Sequence, residues 1–378
     1  MSSIEQLGED RWRARWRDPG GRQKAKTFTQ KDFADHYLRN INAAIQMRTY
    51  VDPSLGNVKV KDFAAKWMLA QGHLKPSTKA TYESILSKHV FPRWGSTPLL
   101  KVAHEDVAVW VSGLLESGLT PATVRYVHRV FSLLLDLAVR SSRIPRNPAT
   151  GVRLPRVQMA EKRFLSHQEV NALAQASGDY RVAVLLLSYC GLRWGELAAL
   201  KVSRVDLPRH RLDVAEAVSE VRGKLIWGTP TSHQARSVPI PGFLVDDLTV
   251  AMAGKAPDAL IFVSRRGAVL RNLNFRRDVF DPAATAVGLD GLTPHELRHT
   301  AVSLAVSAGA NVKAVQRMLG HGSAALTLDV YSGLFEDDLD GVAERLDAGA
   351  VNAGAGARVY SMCTETPILP LTAESAGR

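Results

Sequence analysis

Cysteine is almost missing: the 378 residues hold two, Cys190 in an apolar run and Cys363 near the C-terminal end. That excludes a disulfide-stapled scaffold and a cysteine-rich structural zinc site. Long hydrophobic runs are missing as well. The longest candidate, Val182 to Leu192, is broken by Ser188 and Gly191 and stopped by Arg193, well short of the ~18 apolar residues that a membrane helix needs. The opening residues MSSIEQLGEDRW carry acids and no apolar stretch, so no secretory leader, no membrane partner and a cytoplasmic location are expected. No internal repeat and no long low-complexity tract occurs. What remains is an ordinary globular composition, 46% hydrophobic and 22% charged, long enough for two or three domains with packed cores.

Acidic residues are in deficit, 37 against 48 Lys and Arg, for a formal charge of +11. An excess of that size suits a polyanionic partner or simply keeps a protein soluble, so its distribution carries more information than its total. Between positions 139 and 163 lie Arg140, Arg143, Arg146, Arg153, Arg156, Lys162 and Arg163 against Glu161 alone, spaced by Pro145, Pro148 and Pro155. This reads as an extended basic linker, either merely solvated or laid along a phosphate backbone.

Residues 11–28 alternate in period two, break at Pro19-Gly20-Gly21 and resume, which predicts a hairpin. One face carries Trp12, Ala14 and Trp16, the other Arg11, Arg13, Arg15 and Arg17. Such a ribbon either enters a DNA major groove by its basic face or leaves its arginines exposed on a small sheet. A helix is expected from Gln30 to about Tyr50, and Val51-Asp-Pro-Ser-Leu-Gly-Asn forms a boundary. From Val58 to Ala149 the pattern is helical: Pro76 opens a helix that Pro92 and Gly95 close, and Thr120-Pro121 starts another that runs to Arg140. That last helix shows Val124, Val127, Phe131, Leu134, Leu135 and Ala138 on one side and Arg125 and Arg129, one turn apart, on the other. The pair is either a solvated face or a phosphate contact.

A larger domain begins near Arg163, with a capping box at Ser166 and Glu169 and helices to Leu200. Residues 212–240 predict strands of one small antiparallel sheet, including Leu225-Ile-Trp and Arg236-Ser-Val-Pro-Ile. Helices return near Phe243 and from Asn272 to Asp340. The Ala- and Gly-rich stretch from Asp347 to Arg358 reads as a mobile end. The expected fold is multidomain and mainly α with small β elements: an N-terminal ribbon-and-helix module (1–55), a helical domain (56–150), the basic linker (151–162), a mixed α+β domain (163–345) and a tail (346–378).

His295-Glu296-Leu297-Arg298-His299 matches H-E-x-x-H, the helix of zinc proteases. Arg298 would bring a permanent cation toward the metal, which is electrostatically poor. The longer form of the motif also needs Gly at 302 and His at 305, where this chain has Val302 and Ala305. No Glu occurs between Glu296 and Glu336. A zinc peptidase is therefore a minor alternative, and no metal is expected.

The same segment gains another meaning from its neighbours. Gly191-Leu192-Arg193-Trp194-Gly195-Glu196-Leu197, then His295-Glu296-Leu297-Arg298-His299, then Leu319-Gly320-His321, then Tyr331 follow in order within one domain. In these residues the chain resembles the tyrosine recombinase family, the phage-type integrases, in a form like those of actinobacteriophages. Lys75-Pro-Ser-Thr-Lys-Ala-Thr-Tyr and Asn147-Pro148-Ala149 extend the likeness into the helical region.

The resemblance implies an arm-type DNA-binding module, a SAM-like core-binding domain and a catalytic domain. It implies a homotetramer working on double-stranded attachment sites in the bacterial cytoplasm or nucleoid, with a DNA-bending protein and an excisionase as partners and no cofactor. Arg193 and Arg298 match the phosphate clamps, and fixed guanidiniums suit a phosphodiester whose nonbridging oxygens gain charge during attack. Arg193 follows a Gly-Leu pair and is expected to open a helix whose N–H groups add to the anion site. His295 matches the proton acceptor and His321 a second donor to the phosphate. Tyr331 matches the nucleophile; a phenol ionises near ~10 and needs nearby cations or a base. Arg13, Arg15, Arg125 and Arg129 are the expected DNA contacts outside that centre.

One position departs from the family. Thr231 stands where a hairpin lysine protonates the leaving 5′-oxygen, and loss of a general acid costs about 10²–10⁴ in rate. Lys224 and His233 are the candidate replacements. A catalytically impaired, DNA-binding relative is thus the alternative reading, and a type IB topoisomerase is chemically close.

Overall fold

The computed structural model describes residues 2–47, 50–158, 163–230, 235–320 and 339–352. The chain divides into two compact units, Met1–Glu161 with Ser219–Ile226, and Lys162–Val218 with Trp227–Arg378.

In the first unit, strands β1 (Ser3–Gly8), β2 (Arg11–Arg17) and β3 (Gln23–Phe28) form an antiparallel sheet in that order. Helix α1 (Lys31–Gln46) follows. The sheet is three-stranded where the sequence pattern predicts a two-stranded ribbon. Ser-Ile-Glu-Gln-Leu-Gly has no aromatic residue, yet it pairs along β2, Glu5 opposite Arg13. Period-two alternation sends Ala14 and Trp16 inward onto Ala34 and Leu38 of α1, and Trp16 Nε1 donates to the Tyr50 hydroxyl at 3.0 Å.

The helical part of this unit comprises α2 (Val60–Leu69), α3 (Pro76–Ile85), α4 (His104–Glu116) and α5 (Pro121–Arg140). Pro92 does not close α3 as expected. A π turn at Leu86–Val90 leads into a further helical turn, Phe91–Trp94. Proline has no N–H to donate back along the helix, and a widened turn absorbs the missing bond. The same arrangement recurs at Arg276–Phe280, before Pro282. Thr120 caps α5 by accepting from the Thr123 N–H at 3.3 Å. Trp94 stacks on Phe131, and Trp110 meets that ring edge-on at 5.3 Å. Asn147 ties the chain beyond α5 to that helix: its Nδ2 donates to the Ser132 carbonyl and to Asp136, and its Oδ1 accepts from the Ala149 N–H.

The second unit opens with the expected capping box: Ser166 Oγ accepts from the Glu169 N–H, and the Glu169 carboxylate accepts from the Ser166 N–H. It starts α6 (His167–Ala176). Helix α7 (Arg181–Cys190) is buried along nearly its whole length, as its apolar run from Val182 to Leu187 requires. Short α8 (Trp194–Ala198) follows. Residues 212–240 form two sheets instead of one. Strands β4 (Val205–Asp206), β5 (Arg211–Val214) and β8 (Arg236–Pro239) make a three-stranded sheet, while β6 (Ala217–Val221) and β7 (Lys224–Gly228), whose residues Ser219–Ile226 are counted with the first unit, pair only with each other. Arg222 and Gly223 both take positive φ in the two-residue turn between β6 and β7; such turns follow the twist of a hairpin.

Helix α9 (Val245–Met252), a broken helix over 272–286, α10 (Glu296–Ser307) and α11 (Val312–Leu319) follow in the second unit. Helix α12 (Leu339–Asn352) takes in Asp347 to Asn352, the first part of the Ala- and Gly-rich stretch. Alanine is the strongest helix former and outweighs the single Gly349 there. Residues 353–358 lie outside the described residues. No described helix is long and apolar enough to cross a membrane.

Candidate active site

Helix α7 ends at Gly191, in the left-handed conformation at φ 62°. A side chain there would press on Leu319 and Ala301, so glycine suits both the backbone turn and the close packing. The turn places Arg193 at the N-cap of α8. Its N–H is already used: it donates to Glu196 Oε2 at 2.9 Å, and Arg193 Nη1 donates to Glu196 Oε1 at 3.0 Å. The Arg193 N–H is therefore not available to the anion site expected at the start of α8. A carboxylate three residues on takes the Arg193 N–H, and the helix spans only five residues.

Arg298 stands in the first turn of α10 and is 3% exposed. Its Nη1 donates to the Gly191 carbonyl and its Nη2 to the Leu319 carbonyl at 2.6 Å. A guanidinium this deep in the protein needs acceptors on several sides, and two main-chain carbonyls provide them. His295 is the N-cap of α10 and keeps one side exposed. Packing on its other side, then the charges of Arg298 and Arg193, hold its imidazole below the ordinary histidine value. It is therefore neutral near pH 7 and able to accept a proton. Those three expected residues, Arg193, His295 and Arg298, are brought together.

His321 and Tyr331 lie outside the described residues, as do Thr231 and His233. Lys224 is exposed at the start of β7. Arg13 and Arg15 lie on β2, where Arg15 pairs with Glu5 at 2.7 Å. Arg125 and Arg129 are exposed on α5, and Arg125 donates to the Pro155 carbonyl at 3.2 Å. Cys190 is buried with its thiol pushed up to about 12 by that burial, so it is no nucleophile. His295 and His299 meet edge to face at 5.4 Å, and among the described residues no three ligating side chains gather around them.

Sequence reasoning missed two residues of this centre, Glu196 and Arg236. Glu196 is 3% exposed and takes hydrogen bonds from both Arg193 and Arg236. Burial alone would raise its carboxyl; the bonds and charge of Arg236, then those of Arg193, outweigh burial and hold it below its ordinary value. The i, i+3 spacing to Arg193 was a legible signal for Glu196. Arg236, forty residues away, left none.

Comparisons with known proteins identify the family. Residues 163–336 match the phage integrase family, and residues 59–115 match its N-terminal SAM-like domain. The integrase of Mycobacterium phage FRAT1 is 27% identical over 282 residues, covering 72% of this chain and 83% of that protein. Among solved structures, the Tn1549 transposon integrase in complex with a circular intermediate DNA superposes with a TM-score of 0.66 at 22% identity, covering 72% of this chain and 95% of that one. A lambda integrase tetramer bound to a Holliday junction gives 0.55 at 20% identity, over 85% and 96%. With the family's catalytic and SAM-like regions matched in order along one chain, the protein belongs to the phage integrase family of tyrosine recombinases, and its activity is site-specific DNA recombination.

Proposed function

We propose that this integrase cuts and rejoins DNA through Tyr331 without a metal ion, the positive charge at the phosphate coming from Arg193 and Arg298. The observation that carries the reading is the convergence of those two arginines with a neutral His295. Tyr331 attacks the scissile phosphorus. The P–O5′ bond breaks as the phosphotyrosyl bond forms on the 3′ side, the phenolic proton passes to His295, and the leaving 5′-oxygen takes a proton from Lys224 or His233 in place of the absent lysine. His321 donates to a nonbridging oxygen. Rejoining reverses these steps, with the bond energy held in the covalent link. Arg193 and Arg298 stabilise the charge that grows on the nonbridging oxygens.

The assembly is a tetramer on paired attachment sites in a bacterial cytoplasm, joined by a DNA-bending protein and an excisionase. Arg13 and Arg15 serve arm-type DNA, and Arg125 and Arg129 the core site. Thr231 favours a second reading, in which the chain binds its sites but cuts them poorly.

Covalent trapping tests both. Nicked duplexes carrying attachment sites are incubated with the protein in EDTA, denatured and examined for a protein–DNA adduct. An adduct that Tyr331→Phe abolishes supports the proposal, and faster trapping by Thr231→Lys locates the missing acid. Site binding with no adduct, even in Thr231→Lys, establishes the non-cleaving reading.

A further inference from the structure

Arg236 begins β8 and lies against two segments of the catalytic centre. Its Nη1 donates to Glu196 Oε1 at 2.9 Å and its Nη2 to Glu196 Oε2 at 2.7 Å. Its Nε donates to the Met318 carbonyl at 2.8 Å. Each Glu196 oxygen thus takes one bond from Arg236 and one from Arg193. Two cations share one anion. Exposure sorts them: the Glu196 side chain is 1% exposed, Arg236 7% and Arg193 25%.

We propose that Arg236 is a positioning residue for strand cleavage, the buried counter-charge that satisfies Glu196 so that Glu196 can orient Arg193 without cancelling the charge Arg193 presents to the scissile phosphate. This rests on Arg193 being a phosphate clamp. If Arg193 alone faced the carboxylate, the pair would be neutral, and a neutral pair attracts a phosphate far less than a net cation does. With Arg236 behind the carboxylate, the trio carries one net positive charge, and the exposed member is the one facing solvent. The bidentate fork also fixes the plane of the carboxylate, and with it the direction of the Arg193 bond. The same side chain supports the turn before His321. Gly320 caps α11 in the left-handed conformation, and a Cβ there would stand 2.8 Å from Arg236 Cδ.

The test measures single-turnover adduct formation at saturating DNA, with site affinity measured separately. One substrate carries the ordinary scissile phosphodiester and another a methylphosphonate, which has no nonbridging negative charge. Arg236→Met is expected to slow cleavage of the phosphodiester by about 10²-fold, with little change in affinity, and to slow the methylphosphonate less than about fivefold, each relative to the unsubstituted protein on the same DNA. An equal loss on both substrates overturns the proposal, because a purely structural defect ignores substrate charge.

Arg236→Met also strands a buried carboxylate and threatens folding, so the same change is made in a Glu196→Gln background. With no carboxylate left to balance, Glu196→Gln/Arg236→Met is expected to cleave within about threefold of Glu196→Gln alone, since coupled residues are non-additive. A further large loss there overturns the proposal. Arg193→Ala is the control: if it cleaves the phosphodiester at the normal rate, the reading of Arg193 itself fails, whatever Arg236 does.

Discussion

Arg298 donates to the main-chain carbonyl of Gly191, 107 positions earlier in the chain. Together with its bond to Leu319, this makes the side chain proposed as a phosphate clamp also a structural tie between the ends of α7 and α11. Arg236 joins the same two regions through Glu196 and Met318. The centre is held by the charges it uses.

Arg298→Lys should therefore be damaging although it keeps the charge. A lysine has no planar fork with which to reach both carbonyls, and one buried acceptor left without a donor costs about 1–3 kcal/mol. Urea denaturation should show a loss in that range, and covalent trapping a drop of about 10²-fold or more. A variant as stable and as active as the unsubstituted protein contradicts the account.

The pH response should follow His295. Its depressed value means that the unfolded chain takes up this proton more readily than the folded one. The stability linked to it is thus fully present above the ordinary value of 6.5 and declines as pH falls below it. Cleavage should stay level as pH falls to that value and drop only beyond it, and His295→Gln should remove that acid limb. An acid limb centred above 6.5 in the unsubstituted protein would speak against a neutral acceptor.

Arg125 and Arg129 should act on affinity and not on chemistry. Both are exposed on α5. Each alanine substitution should lower the slope of log affinity against log salt by about 0.9 and weaken binding to different DNA sequences alike. An unchanged slope in the double variant would remove them from the DNA interface.

Asn147 should matter to stability and little to the chemistry. Asn147→Ala gives up bonds to Ser132, Asp136 and the Ala149 N–H. It should lower stability by roughly 1–3 kcal/mol through the groups left unpaired, seen as an earlier unfolding transition. A shift of less than about 0.3 kcal/mol would show that these groups find other partners.

Much of this protein is legible in its sequence, because local patterns dictate local structure. The caps at Thr120 and Ser166 act within three residues of themselves, and the Trp12, Ala14 and Trp16 alternation states which face of β2 is buried. The order of Arg193, His295, Arg298, His321 and Tyr331 carries the family. Other features depend on partners that the local pattern does not name. Ser3–Gly8 is a strand because β2 offers it an edge, and β6–β7 pairs within itself and not with β5 or β8. By itself, then, the sequence determined most of the helices, the caps at Thr120 and Ser166, the family and which residue types could perform the chemistry. Tertiary structure alone decided that Arg236 joins Glu196 and Arg193 at the centre, across forty residues of chain. A buried carboxylate selects its counter-charges by distance in space, not by position in the chain.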